Sequence, residues 1–501
     1  MKACFLLQRR FAFLGHKIAV ELKKRYSVDE FCAYVYLRSR YDFLKSQTDI
    51  HYTELLLDEE IHKKYADEKL DYQYLADLEK KFGLPFLWPY IAIDRVLMHG
   101  QLIREYPHDA PLYSYEDMLR ILQVKAKAII DMLEKERPDF VFISVVGGMG
   151  SMLLYHVAKK KGIKVIDVTG TRIMGLNALS EDFRHFSWAD KLFADFENGR
   201  APNTHRLEAE NFLAKFRAAP TPHNFEADPD RQQIHRREHM RFILPKNAWK
   251  ATRWFLELTG NYLKHRVRDY DDETPWNYLK DKIKRKFRSL IGYEDLYDTP
   301  DWDEDFAFFP LHVEPEISTM LHAPYFTDQS WLIRQIAKSL PVSFRLYVKE
   351  HPGMVGFRTR RFYRELKKMP NVKLIHPSIK SFKVLENVKL VTTITGSTGW
   401  EACLFKKPVI TFGDVFYNSL PQVKHCRTIE DLPNMVKDCL ENFHHNEDQL
   451  INFISALLAE SVTTDIQDLW NNTKPTEETE RALRPLVDLL AKKVGLAPTG
   501  S

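Results

Sequence analysis

At 501 residues the chain has room for roughly two to four domains. Its 44% hydrophobic and 28% charged residues describe a folded globular protein and exclude a disordered one, and a net charge of +4 permits anionic partners without compelling them. The five cysteines, Cys4, Cys32, Cys403, Cys426 and Cys439, show neither metal-ligand spacing nor a disulfide framework. No stretch reaches transmembrane length, so a cytoplasmic place is expected.

In chain order, Ala3–Leu7 reads as a first strand emptying into the basic turn Gln8-Arg9-Arg10, with a helix around Ile18–Leu22. His16 in that region is a ligand candidate set against a packed histidine. Phe31–Tyr36 is a second strand, and the charged stretch Thr48–Gln73 reads as a loop-and-helix insertion. Tyr74–Phe82 and Leu84–Ile93 lead to a long helix over Tyr115–Glu134, whose apolar spacing (Met118, Leu119, Ile121, Leu122, Val124) predicts one buried face. Phe140–Val146, the glycine turn Gly147-Gly148-Met149-Gly150-Ser151, a helix over Met152–Lys160 and a strand over Ile163–Val168 form the clearest unit of this half. Glycines such as Gly148 can bring backbone N–H groups to a ligand, or serve helix–strand packing equally well. The turn is not GxGxxG, so Asp167 is weak evidence for a dinucleotide. Asp167 and Arg172 stand as reserve candidates, the arginine to clamp an anion or to make a surface ion pair.

Phe186–Phe196 and Thr204–Phe216 read as helices, followed by the proline-marked loop Arg217–Arg231. Residues 232–290 are basic and aromatic: Trp249, Lys250, Arg253, Trp254, Phe255, Tyr262, Lys264 and Arg266, then Lys282-Ile283-Lys284-Arg285-Lys286-Phe287-Arg288. Helices there would bridge domains with a solvated face or rest on an anionic bilayer. No nucleic-acid motif accompanies the charge, and no nucleic acid is expected as partner. Asp295–Asp305 is linker-like.

A second strand–loop–helix series runs from Phe308 to Tyr417 and predicts a second parallel sheet, with ligands off the carboxyl ends of its strands. Three anchors fall there. Lys349 and His351, around Glu350, suit phosphate oxygens or a ribose, or else an interdomain ion pair. Ser397, Thr398 and Gly399 open a helix whose first N–H groups suit an anion. Glu401 suits the two ribose hydroxyls, or a capping box with Thr398. The lysine of a Walker motif is missing, which disfavours P-loop chemistry. His312 with Glu314 and Glu316 suits general acid–base work, or is a plain surface loop. Thr428–Leu440, Glu447–Leu458, Val462–Asn471 and Glu478–Lys493 read as C-terminal helices, and Ala497–Ser501 as a tail.

Lys349–Pro352, Asn371-Val372, Ser397–Glu401, Lys407-Pro408-Val409 and Phe412-Gly413 through Tyr417 together resemble the bacterial capsule polysaccharide biosynthesis proteins, a family that includes transferases of the acidic sugar Kdo. His312-Val313-Glu314-Pro315-Glu316 resembles a His-x-x-Pro-Glu element of related polysaccharide proteins. The resemblance covers residues 308–420, and the N-terminal half only in layout. It implies an α/β GT-B-like fold, two Rossmann-like domains facing across a cleft, with no metal motif and no resident cofactor. The divisions expected are 1–200 for an acceptor domain, 201–302 for the helical basic insert, 303–460 for a donor domain and 461–501 for helices packing back. The resemblance further implies that the C-terminal domain holds the donor nucleotide, CMP in the Kdo enzymes, through His351 and the Ser397–Thr398 turn. This chain carries Glu350 where many members have proline, and its stretch 240–290 departs from the family.

The expected function is sugar transfer from a nucleotide-sugar to a surface glycan or glycolipid. Glu316 would act as base or stabilise the reacting centre, His312 would support it, and 240–290 would touch the inner membrane face. The rivals are a CDP-alditol-dependent polyol-phosphate transferase, a noncatalytic glycan- or lipid-binding protein, and an epimerase-like enzyme on the same two-domain fold.

Overall fold

The computed structural model describes residues 1–82, 86–100, 111–173, 175–222, 228–232, 234–240, 244–264, 269–270, 272, 274–464 and 477–498. Leu84, Arg266, the stretch 465–471 of the expected Val462–Asn471 helix and the tail residues 499–501 lie outside these.

Two sheets organise the chain. The first has the order β13-β6-β5-β4-β1-β2-β3. Its parallel core is β1 (Lys2–Leu7), β2 (Glu30–Val35), β3 (Tyr52–Leu57), β4 (Phe140–Ile143) and β5 (Lys164–Gly170). β6 (Leu176–Ser180) and β13 (Ser461–Thr463) add an antiparallel edge. The second sheet, β12-β11-β10-β7-β8-β9, is parallel throughout. Its strands are β7 (Phe306–Pro310), β8 (Arg345–Lys349), β9 (Val372–Ile375), β10 (Leu390–Thr393), β11 (Val409–Thr411) and β12 (Val423–His425). This is the expected pair of Rossmann-like units facing across a cleft.

Strand alternation sorts the side chains into layers. Cys4 and Leu6 face α2 (Tyr115–Glu136) and α3 (Met149–Lys160), while Ala3, Phe5 and Leu7 face α1 (Phe11–Tyr26). In the second sheet Phe306, Phe308 and Tyr347 point one way and Ala307, Phe309, Leu346 and Val348 the other. Two crossings tie the halves together. α4 (Ser187–Glu197) and α5 (Arg206–Ala218) bury Phe193, Ala209 and Leu213 in the layer of Phe306 and Phe308, beside α10 (Glu447–Ala459). In return, α11 (Glu477–Val494) lays Leu483, Leu486, Val487 and Leu490 on the first sheet beside α1.

Several expectations are corrected. The insertion Thr48–Gln73 contains β3, an edge strand whose polar Thr53 and Glu54 hid its periodicity. Val462, assigned to a helix, lies in β13. His16 is a packed histidine: burial lowers its pKa, and its ring nitrogens meet the Tyr52 hydroxyl at 3.0 Å and Asp49 at 3.1 Å.

Each sheet reverses its strand order once, between β1 and β4 in the first and between β7 and β10 in the second. The crevice beyond such a switch point is where α/β sheets hold ligands.

Candidate active site

The crevice of the first sheet is plugged. The Gly147 and Gly148 N–H groups donate to Ser151 Oγ at 2.9 and 3.0 Å, Met149 N to Asp94 Oδ2 at 3.0 Å and Ser151 N to the Tyr36 hydroxyl at 3.2 Å. A side chain on Gly147 would come within 2.6 Å of Ile317 Cδ1, so the glycine turn is packed against the second half of the chain. Gly148 therefore offers a ligand no N–H group, which corrects its assignment to substrate. Asp167 fails as a catalytic reserve for a different reason. It is buried in β5 with Oδ1 unpaired, away from the cavity lining, and burial with the nearby Asp182 charge pushes its pKa well up, favouring the protonated form.

The crevice of the second sheet is open. A cavity of about 190 Å³ is lined by Leu311–Val313 after β7, Lys349–Pro352 after β8, Ser381, and Thr395–Thr398 after β10, with Glu316, Ser318 and Arg172. A second recess of about 110 Å³ shares Arg172, Ser318 and Thr395 with it and continues along Thr169, Arg184, His322 and Asp414, between the two halves. Lys349, His351, Ser397, Thr398, Glu316, His312 and Arg172 are thus brought together. Gly399 and Glu401 are not in the lining.

Helix α9 (Ser397–Leu404) starts two residues earlier than a capping box at Thr398 requires. Its N-cap is Gly396, with no side-chain cap, so the Thr398–Glu401 box does not form. The start of the helix, with its first N–H groups, lines the cavity instead. Gly399 serves packing: a Cβ there would meet the Tyr417 hydroxyl at 2.3 Å, and that hydroxyl donates to Gly396 O at 2.6 Å. Glu401 is buried, which corrects the ribose role, and burial raises its pKa to about 7 against the opposing pull of Lys349 and Arg172.

His312 holds the turn that opens α9. Its Nε2 accepts from Thr395 N at 3.3 Å and lies 3.2 Å from Thr393 Oγ1. Burial, with Arg358 and His351 nearby, lowers its pKa to about 3. Burial thus favours the uncharged ring at neutral pH, and its Nε2 as acceptor positions the turn. Lys349 ends β8 and donates to Ile379 O and Ser381 Oγ, each at 2.8 Å; burial lowers its pKa to about 8. His351 accepts at Nδ1 from Gly353 N at 3.2 Å, which fixes the ring in the turn. Glu316 projects from the loop after β7, its Oε2 accepting from Ser318 Oγ at 2.9 Å. Arg172, in a left-handed conformation with φ of 65°, is exposed, with Glu316, Glu401 and Tyr417 in electrostatic range.

Sequence reasoning missed Arg358. Its Nη1 donates to both oxygens of the fully buried Glu350, at 2.6 and 2.7 Å, and its Nη2 to His312 O at 2.7 Å and Glu314 Oε2 at 3.1 Å. The Tyr363 hydroxyl and His351 N complete the shell of Glu350. One guanidinium therefore clamps the loops after β7 and β8. The only sequence signal was Glu350 itself, a carboxylate at the end of an apolar strand in want of a cation.

Residues 209–421 match the family model described as capsule polysaccharide biosynthesis protein. The resemblance to that family therefore holds over a stretch containing every lining residue of the larger cavity except Arg172. A segment of 120 residues is 32% identical to protein FixF of Sinorhizobium fredii (strain NBRC 101917 / NGR234), covering 23% of this chain and only 27% of the length of that relative. Among solved structures, the Thermosulfurimonas dismutans KpsC β Kdo 2,7 transferase aligns over 72% of this chain and 89% of its own, at 12% identity and a TM-score of 0.37. The UDP-GlcNAc 2-epimerase of Methanocaldococcus jannaschii aligns over 94% and 100%, at 14% identity and a TM-score of 0.25.

Proposed function

We propose that the protein transfers a glycosyl group from a nucleotide-activated donor to a glycan acceptor. The observation that carries this reading is the cavity at the second switch point, where the α9 N-terminus, Lys349, His351, Arg172 and Glu316 converge. The bond from the sugar to the nucleotide phosphate breaks, and its electron pair goes to the phosphate oxygen. That charge meets the N–H groups of the α9 N-terminus and the two cations, aimed in advance at where it develops. The acceptor hydroxyl forms the new bond and gives its proton to the Glu316 carboxylate. The continuing recess beside Arg184 and Asp414 gives the acceptor an approach from the N-terminal half. The cationic lining suits an acidic donor, and the resemblance to the family that includes the Kdo transferases makes a CMP-activated acidic sugar the first donor to test.

Thermal-shift titration with CMP, CDP, UDP and GDP tests the reading. One nucleotide should raise the melting temperature, and His351→Ala should weaken that shift. Stabilisation by none would sink the reading, and preference for CDP would turn it toward the polyol-phosphate transfer.

The lysine adds a pH signature. Burial makes Lys349 lose its proton at about pH 8, well below an ordinary lysine, and a bound phosphate favours the charged form. Nucleotide affinity should therefore fall as pH rises through about 8, with proton uptake on binding visible by calorimetry in buffers of different ionisation enthalpy. Lys349→Met should flatten that profile.

A further inference from the structure

The basic, aromatic stretch folds into α6 (Pro245–Lys264) and α7 (Pro275–Ile291). α6 buries no residue among those described, and α7 buries only Pro275 and Ser289. The pair is nonetheless fixed to the body. Arg288 donates to Phe357 O, and the Arg285 guanidinium lies 4.5 Å from the Phe357 ring centre. Lys282 lies 3.9 Å from the Trp254 ring centre and ties the helices together. Between them, the Asp269 carboxylate accepts from Ser39 N and Oγ, and the Tyr270 hydroxyl donates to Asp58 at 2.7 Å.

The apolar side chains on the outer faces fall in rows. On α6, Trp249, Leu256 and Leu263 recur every seventh residue, which is one stripe of a helix, and are 70%, 63% and 71% exposed. On α7, Trp276, Ile283, Phe287 and Ile291 recur at seven and four and are 66%, 58%, 64% and 47% exposed. The two helices also carry ten lysines and arginines against Glu257 and Asp281, whereas the whole chain is only +4, so the remainder of the protein is net negative. Positive charge and exposed apolar surface are thus concentrated on one appendage.

We propose that this helix pair docks the protein on an anionic lipid bilayer. A bilayer surface satisfies both features together: the apolar rows enter the headgroup boundary, and the exposed Lys246, Lys250, Lys264 and Lys280 meet lipid phosphates. A nucleic acid would use the charge, and a single strand the tryptophans, but either would leave Leu256, Leu263, Ile283 and Ile291 in water. A second copy in a symmetric contact would set ten basic groups against ten. The docking does not rest on the transferase reading, because it is read by binding alone.

The test is co-sedimentation of the full chain with vesicles of phosphatidylglycerol mixed with phosphatidylcholine, against phosphatidylcholine alone. Binding is expected only with the anionic vesicles. It should weaken about tenfold or more in Trp249→Ser/Leu256→Ser/Leu263→Ser, and separately in Lys246→Glu/Lys250→Glu/Lys280→Glu, with unchanged melting temperatures. Four results would overturn the proposal. They are absence of binding to anionic vesicles, equal binding to both kinds, full binding by the triple-serine variant with displacement by single-stranded DNA, and a wild-type dimer that the serine variant converts to monomer.

Discussion

Glu316→Gln is expected to lower turnover by about 10²- to 10⁴-fold while leaving nucleotide-induced stabilisation nearly unchanged. Two carboxylates line the larger cavity, Glu316 and Glu350. Glu350 is fully buried and spends its oxygens on Arg358, Tyr363 and His351 N. Glu316 is held by Ser318 Oγ and by its own loop, and it faces the cavity beside Arg172. Glutamine keeps the shape and the hydrogen bond to Ser318 but cannot take the proton of an acceptor hydroxyl. Initial rates at saturating donor, set beside a thermal-shift titration of the same variant, separate the two effects. An unaltered rate would move the base to the other side of the cleft, toward Asp414.

Arg358→Ala is expected to cost about 3–5 kcal/mol of stability, read as a lower urea midpoint. The loss comes less from the missing attraction than from Glu350, left charged and dry with its cation gone. Replacing Arg358 and Glu350 together by leucine should cost much less, because no charge is then stranded. The single variant should also weaken nucleotide binding, since the loops after β7 and β8 lose the clamp that holds them. A single variant as stable as the double would show that water reaches Glu350.

Much of the second half was legible because its strands are short apolar runs that each end in polar residues. That pattern belongs to a parallel sheet buried on both faces, and it located Lys349, His351, Ser397 and Thr398 at one end of the sheet. The first half was less legible. Gly147-Gly148 can read as a turn that offers N–H groups to a ligand, and local sequence cannot show that Ser151, Asp94 and Tyr36 already occupy the N–H groups of this turn, two of them from more than fifty residues away. Asp167 was misjudged for a related reason: a carboxylate at a strand end reads the same whether its strand stops at a cleft or runs on into a hairpin with β6. His312 shows a third limit. Its place in the cavity was readable, but its protonation is set by burial, which only the packed structure reveals.

The return of α11 to the first sheet has a consequence for how the protein is made. Tyr26 of α1 donates a 2.7 Å hydrogen bond to Asp488 across 462 residues of sequence. A ribosome delivers β1, α1 and β2 long before α11, so the apolar layer of Phe5 and Phe31, which α1 covers in part, is completed only when Leu483 and Leu490 emerge. At bacterial to eukaryotic speeds that wait is roughly 20 to 90 s. During it the nascent amino-terminal sheet keeps part of its apolar face open to water, so the half of this chain translated earlier is the half completed later.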